Sequence, residues 1–416
     1  MFSSPLSITN MLICIWVVFL MILYIFNIVP IYGIAKVGSR EYLSVLAFVF
    51  VFFKYNRNRY YITIMLANWA MMVISIITAL VNGTGDYWYV LFGIRNILYV
   101  NGALFIASFL PNSWTWSDYI RLIIIAIIIN SIIAVIAFFS PVFQDFLLSF
   151  QSFSNDEKIE NTISWSVRMM GVGSGKFFVG GIINGMGIIL TFYLLIRKEI
   201  NGLLALFFLF LLFFIGVFIA RTTIIGFGIG LLFYVLNEKS SRSIQIVLGM
   251  VIVTAISFAF GLFDGINTSH AFEFFTTDVD SFRETQTMES LSHMYSVKYD
   301  AYTLFIGDGV GSGYYQGSDV GWLRNILYFG IFGTVFGYLY YEIKILRILC
   351  KLSREKDMFF YIWLSYLVVL NFKGLPDFNF MILLLIAYYI KQQRQMGIIK
   401  RGMSLGYTAP YKGDKK

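Results

Sequence analysis

Residues 202–219 read GLLALFFLFLLFFIGVFI, a stretch without a single polar side chain. A helix of that length is about 27 Å long, close to the ~30 Å hydrocarbon core of a bilayer. A backbone placed in hydrocarbon must satisfy its own N–H and C=O groups, so such a run can only be a membrane helix. Comparable runs recur along the chain. They place spans at roughly 10–32, 40–54, 60–81, 88–110, 119–140, 177–196, 201–219, 222–237, 243–264, 322–343, 357–375 and 377–391. The fold class expected is therefore all-α: a polytopic integral membrane protein of about twelve transmembrane helices, forming a single membrane domain over residues 1–416. Composition agrees, with 58% hydrophobic and only 13% charged residues, against about half and about a quarter in soluble domains. The residues Met1–Asn10 carry no Lys or Arg and lead into a run too long for a signal-peptide core, so the first span reads as uncleaved. Cys14 falls in a span and Cys350 in a short basic connection, which gives neither a disulfide framework nor a metal-ligand spacing.

The net charge of +8 is unevenly placed. It forms no soluble basic domain, so it does not point to nucleic acid. Lys54, Arg57 and Arg59, then Arg197 and Lys198, then Lys239 and Arg242, then Lys344 to Lys356, then Lys391 to Arg401 fall in alternate connections. By the excess of basic residues in cytoplasmic loops, these connections and both termini face the cytoplasm. Most acids fall on the opposite side; Lys36 and Arg40 are the exceptions to the charge rule. Two connections on that outer side are long, residues 141–176 and 265–321, and the tail 402–416 reads as disordered and cytoplasmic. In the first loop Phe143, Phe146, Leu147, Phe150 and Phe153 recur at helical spacing after Ser140-Pro141, as in a helix lying in the interface. In the second, Ser281-x-x-Glu284 is a capping box, with a helix carrying Leu291, Met294, Tyr295, Lys298, Tyr299 and Tyr302 to follow.

Arginines mark the outer boundary. Arg168 precedes the sixth span, Arg221 occupies the tight turn between the seventh and eighth, Arg283 lies in the first turn of the proposed loop helix, and Arg324 starts the tenth span. Guanidinium groups stay charged and bind phosphate oxygens through paired donors. A cluster of them at the membrane surface would suit a lipid pyrophosphate. The plainer alternative for each is an interfacial arginine snorkelling to headgroups. Arg95 lies inside the fourth span, where a buried charge suggests function or a structural ion pair. The runs Gly171/Gly173/Gly175 and Gly307/Gly309/Gly311/Gly313 offer backbone amides to an anion but match no nucleotide-binding fingerprint. Gly180, Gly181, Gly185 and Gly187 suit helix packing.

A general base has few candidates. His270 and His293 are the only histidines, and Glu289 sits one helical turn before His293, positioned to orient its imidazole. A solvated pair on a loop helix is the alternative. Asp278 and Asp280 could hold a metal, but two acids in an acidic loop are more simply solvated, so no metal or other cofactor is expected. Tyr295, Tyr299, Tyr302, Tyr314, Tyr315 and Trp322 could stack on sugars or merely mark the interface.

Three places together resemble the O-antigen polymerase (Wzy-type) family, within the wider set that includes O-antigen ligases. They are Arg168-Met-Met-Gly171; Ala220-Arg221-Thr222-Thr223; and the block Leu304-Phe-Ile-Gly307-Asp-Gly309, Ser318-Asp319-Val-Gly-Trp-Leu-Arg324 and Gly330-Ile-Phe-Gly333. The glycines after Arg168 depart from the Pro-containing stretch of many relatives. The resemblance implies a glycosyltransferase C-type membrane fold in the bacterial inner membrane, working at the periplasmic face without a metal. It also implies the reaction, in which a growing O-antigen chain leaves undecaprenyl pyrophosphate for the non-reducing-end sugar of a new lipid-linked oligosaccharide. A chain-length regulator and membrane lipids would be the partners. On that basis Arg168, Arg221, Arg283 and Arg324 would bind the donor pyrophosphate, and His293, supported by Glu289, would be the base, with Asp319 as its alternative or a structural cap. An O-antigen ligase would use the same donor with a lipid A-core acceptor. A flippase for lipid-linked oligosaccharide would line its cavity with charge from several helices, and Arg95 is the feature that favours it.

Overall fold

In the computed structural model, residues 8–28, 37–149, 169–173, 177–237, 292–311, 313, 315–353, 358–376 and 378–404 are described. Among them the structure is helical and contains no strand. In chain order the helices are α1 (Ile8–Phe26), α2 (Ser39–Tyr55), α3 (Arg59–Asn82), α4 (Trp88–Ser108), α5 (Trp116–Phe139), α6 (Pro141–Ser149) and α7 (Phe177–Ile196). They continue with α8 (Gly202–Ile219), α9 (Thr222–Asn237), α10 (Ala301–Phe305), α11 (Gly321–Gly333), α12 (Tyr340–Ser353), α13 (Met358–Asn371) and α14 (Asn379–Ser404). A π-helical segment, Thr334–Leu339, joins α11 to α12. Among the described residues seven helices, counting α11 to α12 as one, are long and apolar enough to cross a membrane. Every expected span except the ninth coincides with a helix; the ninth, 243–264, lies outside the described residues.

Local chemistry sets the helix ends. Asn58 caps α3 by accepting from the Tyr60 and Tyr61 amides, and Gly83 closes it in the left-handed region at φ 62°. Thr115 and Asp118 form a reciprocal capping box on α5. Asn201 caps α8. The helix expected through Leu291–Tyr302 is instead interrupted. A turn at 292–295 ends where the Ser296 hydroxyl donates to the His293 carbonyl, and α10 starts afresh where the Asp300 side chain accepts the Thr303 amide. The tail also differs from expectation, because α14 carries helix through Gly402 to Ser404; residues 405–416 lie outside the described residues.

The core is built around α7, which packs against α5, α8 and α9. Its approach to α9 is a backbone contact: a Cβ added to Gly226 would strike the Gly185 backbone. Small residues permit this where lipid supplies no hydrophobic drive between helices. Buried tyrosines then tie helices together by donating to backbone carbonyls. Tyr24 reaches Tyr99 (2.9 Å) and Phe380 (3.1 Å), Tyr119 reaches Leu384 (2.9 Å), and Tyr366 reaches Ile182 (3.0 Å). Each phenol buries a ring and satisfies its own polar tip.

The expected tenth span is one long segment broken in the middle. Gly330 has φ 66° and ψ 179°, so the carbonyls of Leu327 and Tyr328 lose their helical donors. The amides of Asp308 (2.6 Å) and Gly309 (3.2 Å) take their place. Gly307, at φ 84°, lies against the Tyr328 and Gly330 backbone, and Gly330 lies against Phe305 and Ile306. Neither position has room for a Cβ. The glycine-rich run is thus the plug of a helix break.

Candidate functional site

One end of the bundle gathers the α3–α4 turn, the segment 169–173, the α8–α9 turn, residues 292–311 and 315–320 and the α13–α14 turn. Contacts run across it in a row. A Cβ on Gly181 would meet Thr222 and Ala220; one on Gly374 would touch the Phe178 ring; one on Gly321 would meet Asn371 and Gly374. The Tyr295 hydroxyl donates to the Phe372 carbonyl (2.6 Å), seating the His293 turn on the same row.

Arg221 sits where α8 ends in an extended Ala220 and α9 begins, with the Ile224 amide bonded to its carbonyl (3.0 Å). It is half-buried. Thr222 and Thr223 beside it are 1% and 0% exposed, and the Thr223 hydroxyl donates to Gly181 (3.3 Å). The turn is therefore rigidly held. Arg168 lies outside the described residues, but the chain just after it is fixed. The Met169 amide donates to Phe218 (3.2 Å), and the Val172 amide donates to the Asn130 side chain (2.8 Å). Met169 also packs with Ile219 and Ala220. Gly171 leaves room for no Cβ against Asn130, nor does Gly173, at φ 69°, against the Phe26 carbonyl. Residue 169 is thus bonded to residue 218, three positions before Arg221.

Arg324 has a different role. It pairs with Asp319 (2.9 Å), donates to the Gly311 carbonyl (2.6 Å) and lies 5.2 Å from the Trp88 ring. Asp319 is accordingly the counter-ion of Arg324. The amides of Gly307, Gly309 and Gly311 donate to the Thr303 carbonyl (3.1 Å), the Tyr328 carbonyl (3.2 Å) and Asp86 (2.9 Å), and the Gly309 carbonyl accepts from the Thr84 hydroxyl (2.8 Å), so these three amides are spent on the protein and not on an anion. Hydrogen bonds from Thr303 hold the Asp300 carboxyl below its usual range.

His293 is exposed, while Glu289, Arg283, His270, Asp278 and Asp280 lie outside the described residues. Arg95 does not sit inside the bundle, contrary to the expectation of a buried charge. It is exposed on the face of α4 that also exposes Leu91 and Ile94. It lies about 10 Å along the helix from the N-terminal end of α4 at 1.5 Å per residue, within snorkelling reach of headgroups.

Several polar groups near this end are buried without a hydrogen-bond partner: Thr222 Oγ1, Asn371 Oδ1, Trp322 Nε1 and Asn325 Nδ2. Unsatisfied buried groups are costly and call for an explanation. Asn130, Asn184 and Asp86 were not singled out from sequence. Asn130 and Asn184 are the detectable ones, as amides inside otherwise apolar runs; Ser131 bonds Asn184 across α5 and α7 (3.0 Å). Among the described residues no cluster of three metal-ligating side chains occurs.

These features define a multi-pass α-helical membrane protein with a polar, arginine-bearing end. No family model, curated protein or solved structure matches the chain.

Proposed function

We propose that the chain is an O-antigen polymerase of glycosyltransferase C-type fold, with about twelve spans, in a bacterial inner membrane with both termini cytoplasmic. The acceptor sugar hydroxyl attacks the anomeric carbon of the donor chain. The C1–O bond to undecaprenyl pyrophosphate breaks, and the hydroxyl proton passes to a base. Negative charge grows on the departing pyrophosphate, and guanidinium groups aimed at it lower the barrier. Arg221, with Arg168, is assigned to that pyrophosphate, with Arg283 beside them; His293, oriented by Glu289, is the assigned base. A chain-length regulator is the expected partner.

The observation that carries this reading is the hydrogen bond between Met169 and Phe218, which brings the segment behind Arg168 to the turn holding Arg221. Residue 169 and the turn holding Arg221, distant in sequence, meet at one polar end. Arg324 supports the site indirectly, because its charge is engaged by Asp319. A flippase loses its main support, since Arg95 faces outward. An O-antigen ligase would need the same donor site.

The test is Arg221→Ala and Arg168→Ala in cells, with membrane insertion checked by immunoblot. Long O-chains should vanish from lipopolysaccharide gels while lipid A-core bearing one repeat persists. Unchanged ladders in both variants would remove the assignment. A deletion strain separates the readings: one repeat on core means polymerase, and absence of attached repeats with accumulating lipid-linked polymer means ligase. Repeats trapped on the cytoplasmic leaflet mean flippase.

A further inference from the structure

The opposite end of the bundle holds a cavity of about 330 Å³ between α3 and α12, which the proposed reaction does not use. Arg59 and Tyr60 form one wall; Tyr340, Lys344, Arg347 and Lys351 form the other. The α12 residues recur at intervals of three and four, so they share one helix face, and the three cations span about 10 Å of axis. Among the described residues no carboxylate lines the cavity. Among the described residues none of its four cations forms an ion pair. Glu342, the acid of α12, is 2% exposed and turned inward, where it accepts from Asn379 (2.8 Å).

Helix stability accounts for Lys351, in the last turn of α12 where the dipole favours a cation, but not for Arg59. Arg59 sits in the first turn of α3, where the helix dipole disfavours a cation. Four like charges around one concavity repel each other unless an anion joins them. The surroundings indicate what carries that anion. Ile62 and Leu66 of α3, and Val335 and Phe336 before α12, are exposed apolar side chains on the same two segments. They lead away from the cavity along lengths apolar enough to span a membrane. A phosphate in the cavity would therefore have hydrocarbon-compatible surface beside it.

We infer that this cavity binds the headgroup phosphate of an anionic phospholipid, with the acyl chains lying along α3 and the π-helical segment. Basic pockets between membrane helices at the cytoplasmic surface have the chemistry for such headgroups. Arg347 and Arg59 supply paired N–H donors, and Lys344 and Lys351 supply point charges.

The full chain, delipidated in detergent, is titrated with cardiolipin, phosphatidylcholine or inorganic phosphate, with melting temperature and native mass spectra as readouts. Cardiolipin should raise the melting temperature and remain bound. Lys344→Gln with Arg347→Gln should abolish the rise and weaken binding by roughly tenfold or more, as expected for lost charge-assisted contacts. The charge-preserving pair Lys344→Arg and Arg347→Lys should retain it, as should Lys198→Gln on another loop at the same end. Arg59→Gln, on the opposite wall, gives the same reading should the neutral double variant not fold. An equal rise with phosphatidylcholine, an undiminished response in the neutral variants, or the same response to inorganic phosphate alone would overturn the inference.

Discussion

Arg40 shows how a single cation near the Arg221-bearing end of the bundle is used. It is 5% exposed and follows the connection between α1 and α2. Its Nε donates to the Tyr24 carbonyl (2.5 Å), its Nη2 donates to the Ile25 carbonyl (2.6 Å), and the Phe380 ring lies 3.6 Å from Cζ. The last carbonyls of α1 lack helical donors and carry the negative end of the dipole, so a forked cation suits them. Arg40→Ala should cost about 3 kcal/mol or more, from two charge-assisted bonds and a cation–π contact. Arg40→Lys should recover only part, because one ammonium cannot reproduce the fork. Thermal melts of purified protein check both. Arg221 differs in kind: it stands at the turn that the proposed chemistry needs. Arg221→Lys should therefore fold normally yet polymerise poorly, which in vitro transfer measured beside the melting curve would reveal. Glycosidic transfer at wild-type rate in that variant would argue against paired phosphate contacts.

At the scale of elements, the break in α11 governs how the outer segments are held. Two carbonyls freed at Gly330 receive the amides of Asp308 and Gly309, and Gly307 and Gly330 interlock without room for side chains. Gly330→Ala combines a left-handed φ with collision against the Phe305 carbonyl. Several kcal/mol should be lost, enough to lower accumulation in the membrane sharply. Gly83→Ala is the matched control. Its φ is 62° but nothing lies within 4 Å of the added Cβ, so only the backbone term of roughly 1–2 kcal/mol applies. Similar losses in both variants would show that the interlock contributes little. Proteolysis between residues 305 and 313 should increase first in Gly330→Ala, since that segment depends on the helix break for its partners.

For the whole molecule, the alternation of connections makes a topological prediction. Single cysteines placed in the α3–α4 turn and near Tyr315 should react with an impermeant maleimide from the periplasmic side, in a background lacking Cys14 and Cys350. Cysteines in the α4–α5 and α7–α8 turns should be protected until the membrane is opened. The inverted pattern would reverse the proposed orientation and with it the periplasmic reaction.

Residues 202–219 could only become a membrane helix, since a bilayer interior leaves a backbone no partner except itself. The same reasoning from unbroken apolar runs located the helices at the other expected spans that fall among the described residues, with ends blurred by a few residues, and capping chemistry at Thr115/Asp118 and Asn58 was local enough to be encoded nearby. Of the arginines expected at one end, Arg221 and Arg324 are found there, while Arg168 and Arg283 lie outside the described residues. The fate of each charge was not legible, because a guanidinium is engaged or available according to groups brought beside it from elsewhere in the chain. Arg324 meets the Gly311 carbonyl and Trp88, Arg40 meets the end of α1 and Phe380, and Arg95 is exposed on the face of α4 that also exposes Leu91 and Ile94. The glycine run near residue 309 likewise looked like a phosphate cradle until packing set it against a break in a helix many residues away. Apolar length is a property of consecutive residues; satisfaction of charge and hydrogen bonds is a property of neighbours in space.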